Sequence, residues 1–378
     1  MINPFKYGGV VGAESFCNRV QELSDIRRSM ENGARLFLYS ERRVGKTSLL
    51  KLALKQLESR DYLSAYIDLW PTDGCDSLAL AMAKSLTENI ATTADKMLQM
   101  AKDFFTRLVP SITVDDEGKP RISFESRLRE FKEPELTEIL SVPQKIAEQR
   151  NKRVVIVLDE FQRILEYNGD STERILRSAI QNQDRVSYIF SGSRKHIIQR
   201  MLVDQSRPLY GAGGHYPLRM INYEDWKPFI KERFENSHKI INEESIFQIC
   251  KITGGHPFYT QHLSHVIWEK CSENEPVSEN IINASIDTLL ERESYAYTSL
   301  WETFTPNQRR FMIGLAAESE SAKVYSGEFI QKYRISSSSI QRIIESLLER
   351  DILDRDNGSY LISDRFFKIW IKKQGLQV

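Results

Sequence analysis

The hydrophobic positions follow two regimes along the chain. Up to residue 222, short and nearly continuous apolar runs alternate with longer amphipathic stretches. The runs are RLFLYS (35–40), YLSAYIDLW (62–70), RVVIVLD (153–159), RVSYIFSGS (185–193) and HYPLRMI (215–221). Apolar, β-branched runs of this length suit strands covered on both faces, so they predict a mostly parallel sheet with crossover helices between its strands. The stretches TSLLKLALKQLES (47–59), LALAMAKSLTENIA (78–91), PELTEILSVPQKIAEQR (134–150) and STERILRSAIQNQ (171–183) carry the helical spacing those crossovers need. Together they define a doubly wound α/β core over residues 1–222. One segment departs from the alternation. In SITVDDEGKPRISFE (111–125) two alternating stretches flank Asp116-Glu117-Gly118, which predicts an inserted hairpin or ordered loop.

Beyond residue 222 the strands stop. EDWKPFIKERFE, EESIFQICKIT, HPFYTQHLSHVIWEKC and ENIINASIDTLLERE predict a helical subdomain over 223–295. The remainder, 296–378, reads as three short helices (PNQRRFMIGLAAES, SGEFIQKYR and SSSIQRIIESLLERD) followed by a hairpin, ILDRDNGSYLIS, turning at Asn357-Gly358. Helices followed by a hairpin are the order of a winged helix-turn-helix.

Composition narrows the field. With 52 Lys+Arg against 52 Asp+Glu in 378 residues, a chain that coats nucleic acid through bulk charge is excluded, although a local basic face is not. Cys17, Cys75, Cys250 and Cys271 are widely spaced and form no CxxC pair, which argues against a zinc knuckle or a disulfide framework. The opening residues lack a basic segment followed by an apolar core, and no run of 18 apolar residues occurs. The expectation is a soluble, cytoplasmic protein with no membrane contact.

The candidate chemistry sits at strand ends. The first run leads into SERRVGKTS, with Gly45, Lys46 and Thr47 opening a helix. A strand end, a turn of inward-facing N–H groups and a helix N-terminus each offer partial positive charge to phosphates, so Ser40, Glu41, Arg42, Arg43, Val44, Gly45, Lys46, Thr47 and Ser48 are the candidate phosphate loop. Lys46 would reach the β- and γ-phosphates of ATP and Thr47 would ligate Mg²⁺. Ser40 stands where the motif begins with glycine, and serine tolerates a tight turn less well. The third run ends in Asp159-Glu160. Asp159 suits a metal role and Glu160 a base that polarises the attacking water. The fourth ends in Ser191-Gly192-Ser193-Arg194. Such a strand is expected between the other two, which makes Ser193 and Arg194 candidate sensors of the γ-phosphate, or else a polar cap on the next helix.

With these motifs in place, the chain resembles a prokaryotic ATPase of the AAA+-related STAND group, specifically the archaeal-ATPase family. The likeness rests on PFKYGGVVGAESFCNRVQEL, ERRVGKTSLL, SVPQKIAEQRNKRVVIVLDEFQRI and GGHPFY, and it runs nearly end to end. It implies a P-loop NTPase sheet of the ASCE type, a helical lid and a C-terminal winged helix. It also implies that Phe16, Arg19 and Glu22, with Phe5 and Tyr7 upstream, belong to a segment closing over adenine, and that His256 and Pro257 of the lid pack against the nucleotide. No lid arginine of the AAA+ sensor type follows. Arg207 stands near a place suited to a trans-acting arginine, with no motif to support it.

Other signals are weaker. His256, His262 and His265 cluster in sequence but lack a spaced acid or thiolate and are mixed with core aromatics, so a metal site is not expected. SGS is not a nucleophile elbow, since GxSxG is absent. Residues 301–378 carry 12 Lys+Arg and 10 Asp+Glu, a net of only +2, which makes the last domain a weak DNA candidate; Arg365, Lys368, Lys372 and Lys373 offer one local patch. The leading expectation is an ATP-binding, slowly hydrolysing switch that couples nucleotide state to the winged helix. The alternative is a DNA-associated ATPase of replication, transposition, transcription or defence, in which ATP mainly stabilises an assembly. A third reading is a scaffold that keeps nucleotide as a structural ligand. Beyond ATP or ADP, the candidate partners are DNA, another protein or further copies of the chain.

Overall fold

All five apolar runs of the first 222 residues form strands in a computed structural model, which describes residues 2–9, 12, 16–57, 62–91, 93–126, 133–167, 170–318, 323–356 and 358–375. They are β1 (Arg35–Tyr39), β2 (Tyr62–Asp68), β5 (Arg153–Asp159), β6 (Val186–Gly192) and β7 (Gly214–Pro217). The other four strands are β3 (Leu108–Val114), β4 (Pro120–Ser126), β8 (Leu353–Asp356) and β9 (Ser359–Ile362). The five-stranded sheet runs β2-β5-β6-β1-β7 with every pair parallel. β6 is buried along its whole length and β5 from Val154 to Asp159, as strands covered by helices on both faces must be. Phe190 stacks 4.5 Å from Phe37 and lies 4.5 Å from Phe161, so aromatic packing ties the central strands together.

The chain divides into two compact units, Arg19–Leu218 and a second made of Met1–Asn18 with Arg219–Val378. In the first, the segment expected as an insertion is a separate antiparallel pair, β3 with β4. It extends further than 111–125 because Leu108 and Phe105 are buried and anchor its start. The Asp115 side chain organises its turn by accepting from the Glu117 and Lys119 N–H groups at 3.1 and 2.9 Å. Helices Val20–Glu31 and Ala94–Phe104 in this unit go beyond the predicted set.

The second unit contains helices Tyr223–Glu235, Glu243–Thr253, Pro257–Lys270 and Glu279–Arg292, then Ser294–Glu302, which the apolar pattern did not reveal. Pro306–Ala317, Gly327–Tyr333 and Ser337–Glu349 are followed by the β8–β9 hairpin, the expected winged-helix order; Asn357 of its turn lies outside the described residues. Helix Arg365–Gly375, also unforeseen, closes the chain. Side-chain caps at Asn242, Ser278, Thr305, Ser326 and Ser336 fix the starts of the helices that follow them. Thr305 and Gln308 form a reciprocal capping box ahead of Pro306, an arrangement that stabilises a helix by about 1 kcal/mol.

One core runs through this unit from Phe5 to Ile371. Phe366 packs 5.1 Å from Tyr259, Phe367 packs 5.1 Å from Tyr297, and Tyr259 donates to the Ser363 carbonyl at 3.4 Å. Residues 223–295 and the winged helix therefore share their apolar interior. The N-terminal strap joins the same body. Lys6 N–H donates to Gln261 Oε1 at 3.2 Å, His265 Nδ1 lies 2.8 Å from the Phe5 carbonyl, and Tyr7 stacks on His262 at 3.9 Å. Among the described residues, no helix is long and apolar enough to cross a membrane.

Candidate active site

β1 ends at Tyr39, and residues 40–45 carry the chain to the helix that starts at Lys46. Gly45 takes φ +100°, which a side chain adopts only under strain, and this glycine lets the turn enter the helix. Ser40 does not take a positive φ, so the expected penalty for replacing glycine is absent. Its hydroxyl is instead an acceptor. Lys46 Nζ donates to Ser40 Oγ at 3.1 Å and to the Glu41 carbonyl at 3.0 Å. Val44, Lys46 and Ser48 are buried, while Arg42 and Arg43 face solvent. Burial pushes the Lys46 ammonium below its ordinary pKa, and the carboxylates of Glu160 and Asp159 oppose that shift.

Two strands away, β5 delivers the acids. Thr47 Oγ1 donates to Asp159 Oδ2 at 2.8 Å across 112 positions of sequence. Tyr66 of β2 donates its phenol to the same oxygen, and the Glu160 N–H donates to Asp159 Oδ1 at 3.0 Å. Burial, followed by the nearby Asp159 charge, raises the Tyr66 pKa and keeps the phenol a donor. Glu160 adopts a left-handed backbone, φ 54° and ψ 42°, which turns its carboxylate away from the strand direction. Ser193 Oγ donates to Glu160 Oε2 at 2.7 Å and Gln162 Nε2 donates to the same atom at 2.5 Å.

The structure thus joins Thr47, Asp159, Glu160 and Ser193 by hydrogen bonds and holds Lys46, anchored on Ser40, near enough for the Glu160 and Asp159 charges to act on it. Arg194 lies beside it, 3.9 Å from Glu166, which also pairs with Arg163. Arg19 is buried in the same unit and pairs with Glu22 at 2.6 Å. Phe16, His256 and Pro257 belong to the second unit, where His256 stands at the N-cap position of helix Pro257–Lys270 without a side-chain capping bond. Arg207 is engaged within its own chain, by buried Glu173 and by Asp170 at 2.8 Å. Tyr66 and Gln162 were missed by sequence reasoning. Tyr66 lies on a strand opposite Val157 with no motif of its own, and Gln162 carries no spacing signal beyond its place after Asp159-Glu160.

Among the described residues, no group of three or more His, Cys, Asp or Glu could hold a metal, including the histidines of helix Pro257–Lys270. One hydroxyl and one carboxylate 2.8 Å apart form a different donor set. It fits Mg²⁺, which keeps waters and takes substrate phosphate oxygens rather than an all-protein cage.

A parallel sheet whose phosphate-loop strand and acid-bearing strand are separated by a third strand defines a P-loop nucleotide hydrolase. Residues 16–263 match the ATPase domain predominantly from Archaea, and residues 295–373 match a probable winged helix domain. The chain belongs to that ATPase family and is an ATPase. The fold is similar to the Walker-type ATPase of Pyrococcus abyssi, at 16% identity and TM-score 0.64 over 95% of this chain and 97% of that one. It is also similar to the Aeropyrum pernix ORC1 protein solved in complex with DNA, at 13% identity and TM-score 0.50 over 95% of this chain and 93% of that one. A third likeness is to the Aeropyrum pernix ORC2 protein in ADPNP–ADP complexes, at 13% identity and TM-score 0.51 over 96% and 94%. A comparison with curated protein sequences gives no significant match.

Proposed function

We propose that the chain is a nucleotide-operated switch of the STAND kind, which binds ATP through its phosphate loop, hydrolyses it slowly and passes the nucleotide state to the winged helix. The observation that carries this reading is the hydrogen-bonded set Thr47, Asp159, Glu160 and Ser193 beside the buried Lys46, whose charge the two carboxylates sustain against burial. Lys46 exchanges its hydrogen bonds to Ser40 and Glu41 for phosphate oxygens, which pair its buried charge directly. Residues 40–48 supply N–H groups and the helix N-terminus to the phosphates. Thr47 and Asp159 would hold Mg²⁺, which neutralises charge on the β- and γ-phosphate oxygens. Glu160 orients the attacking water and takes up its proton, while Ser193 links that carboxylate to the end of β6. Arg194 is the accompanying sensor. Arg19, Phe16, His256 and Pro257 are proposed as further nucleotide contacts on the sequence resemblance.

The continuous core from residue 223 to the winged helix supports the coupling half of the proposal. A domain that shares its interior with its neighbour moves with it, so the domains predicted at 223–295 and 296–378 act as one responding body. ATP binding and turnover are tested together. Lys46→Ala abolishes binding of a fluorescent ATP analogue, whereas Glu160→Gln keeps binding and loses turnover; unchanged affinity in Lys46→Ala would overturn the phosphate-loop assignment.

A second reading, a DNA-associated ATPase, draws on the exposed face of helix Ser337–Glu349. Ser337, Ser338, Gln341 and Arg342 are exposed there, with Arg355 on the wing. Glu345 and Glu349 oppose it on the same face. Because winged helix and neighbouring helices share a core, deletion of 296–378 would strip that core, and Arg342→Ala with Arg355→Ala is the cleaner test. Each guanidinium removed from a DNA phosphate should lower the salt slope of binding by about 1; an unchanged slope removes the DNA reading.

A further inference from the structure

We propose that Gln162 is a positioning residue for hydrolysis, one that fixes which oxygen of Glu160 faces the attacking water; this rests on the reading of Glu160 as the base. Glu160 Oε2 accepts two hydrogen bonds, one from Gln162 in the 3-10 helix Phe161–Glu166 and one from Ser193 just past the end of β6. Among the described residues, Oε1 accepts none. An oxygen that already takes two donors is a poor partner for water, so the clamp on Oε2 presents Oε1 to the substrate side.

Three features show that the Gln162 side chain is held for this contact. It is 3% exposed, and its Oε1 is buried with no hydrogen-bond partner among the described residues, a desolvation penalty that a merely structural amide would avoid. It reaches Glu160 because Gly192 has no side chain. A Cβ there would fall 2.5 Å from Gln162 Oε1 and 2.9 Å from Ile198 Cδ1, so the last residue of β6 leaves room for the amide. Glu160 also bends back toward the 3-10 helix Phe161–Glu166 through its left-handed backbone, which places its carboxylate over a residue only two positions on. Strain in a non-glycine residue of this kind persists where the surroundings enforce it.

The test uses the full-length protein in four forms: wild type, Gln162→Met, Glu160→Gln and the double variant. Methionine keeps length and volume and removes the donor. Gln162→Met should lower kcat by about tenfold or more, within the range general-base catalysis supplies, and leave KM and the ATP Kd unchanged. The double variant should hydrolyse ATP no more slowly than Glu160→Gln alone, because Gln162 acts only through that carboxylate. Gln162→Glu serves as a second isostere, whose like charge beside Glu160 should cost more turnover than methionine with binding intact. Wild-type kcat in both Gln162 variants overturns the proposal, as do losses that multiply in the double variant. Wild-type turnover in Glu160→Gln overturns instead the assignment of the base.

Discussion

The two units treat buried charge in opposite ways. Among the described residues, Arg19, Lys46, Asp159 and Glu173 are the buried charged side chains, and all four lie in the sheet unit. The second unit, mostly helical, buries hydroxyls, amides and histidines among its aromatics instead. A buried charge is costly unless paired, so it is retained where a ligand or a reaction repays it. The sheet unit therefore carries its buried charge in pairs and in the Lys46–Asp159 region, and the second unit is held by apolar packing. On the proposed function, the first is where phosphate would be bound and the second is the body that would respond.

Substitutions can break this contrast. The largest effect is expected at Arg207, which compensates buried Glu173. Arg207→Ala leaves that carboxylate unpaired and should destabilise the protein by about 3–5 kcal/mol in chemical denaturation. In the second unit, stability comes from many small increments. Thr305→Ala removes one half of a capping box and should cost about 1 kcal/mol. Lys373→Ala breaks the pair with Asp287, whose side chain is 63% exposed, and should shift stability by less than about 0.5 kcal/mol. An inverted order, with Lys373 outweighing Arg207, would show that the contrast in buried charge has no energetic meaning.

The motif half of the site was legible because its signals are local. GKT after an apolar run and Asp-Glu at the end of another each specify a strand end, and the structure places both in one network. The predicted position of the fourth run between the other two was also right, since β6 pairs with β1 and β5. Tyr66 and Gln162 escaped because their contacts to Asp159 and Glu160 depend on register and on the left-handed turn at Glu160, neither of which leaves a pattern in sequence. Helix Arg365–Gly375 escaped for another reason. Its apolar residues, Phe366, Phe367, Trp370 and Ile371, alternate with basic ones, so the segment reads as a charged tail until packing shows which face is buried. Lys372 and Lys373 of the basic patch remain exposed, but Lys373 is paired with Asp287. Ser40 taught the converse lesson. The departure from glycine costs nothing at its backbone angle and adds an acceptor for Lys46.

The most direct test of the coupling is hydrogen–deuterium exchange on full-length Glu160→Gln with ATP and with ADP. The account predicts protection at residues 40–48 with either nucleotide, and an ATP-dependent change in the second unit that affects residues 223–295 and the winged helix together. A change confined to residues 19–218, or one that separates the winged helix from its neighbouring helices, would contradict it.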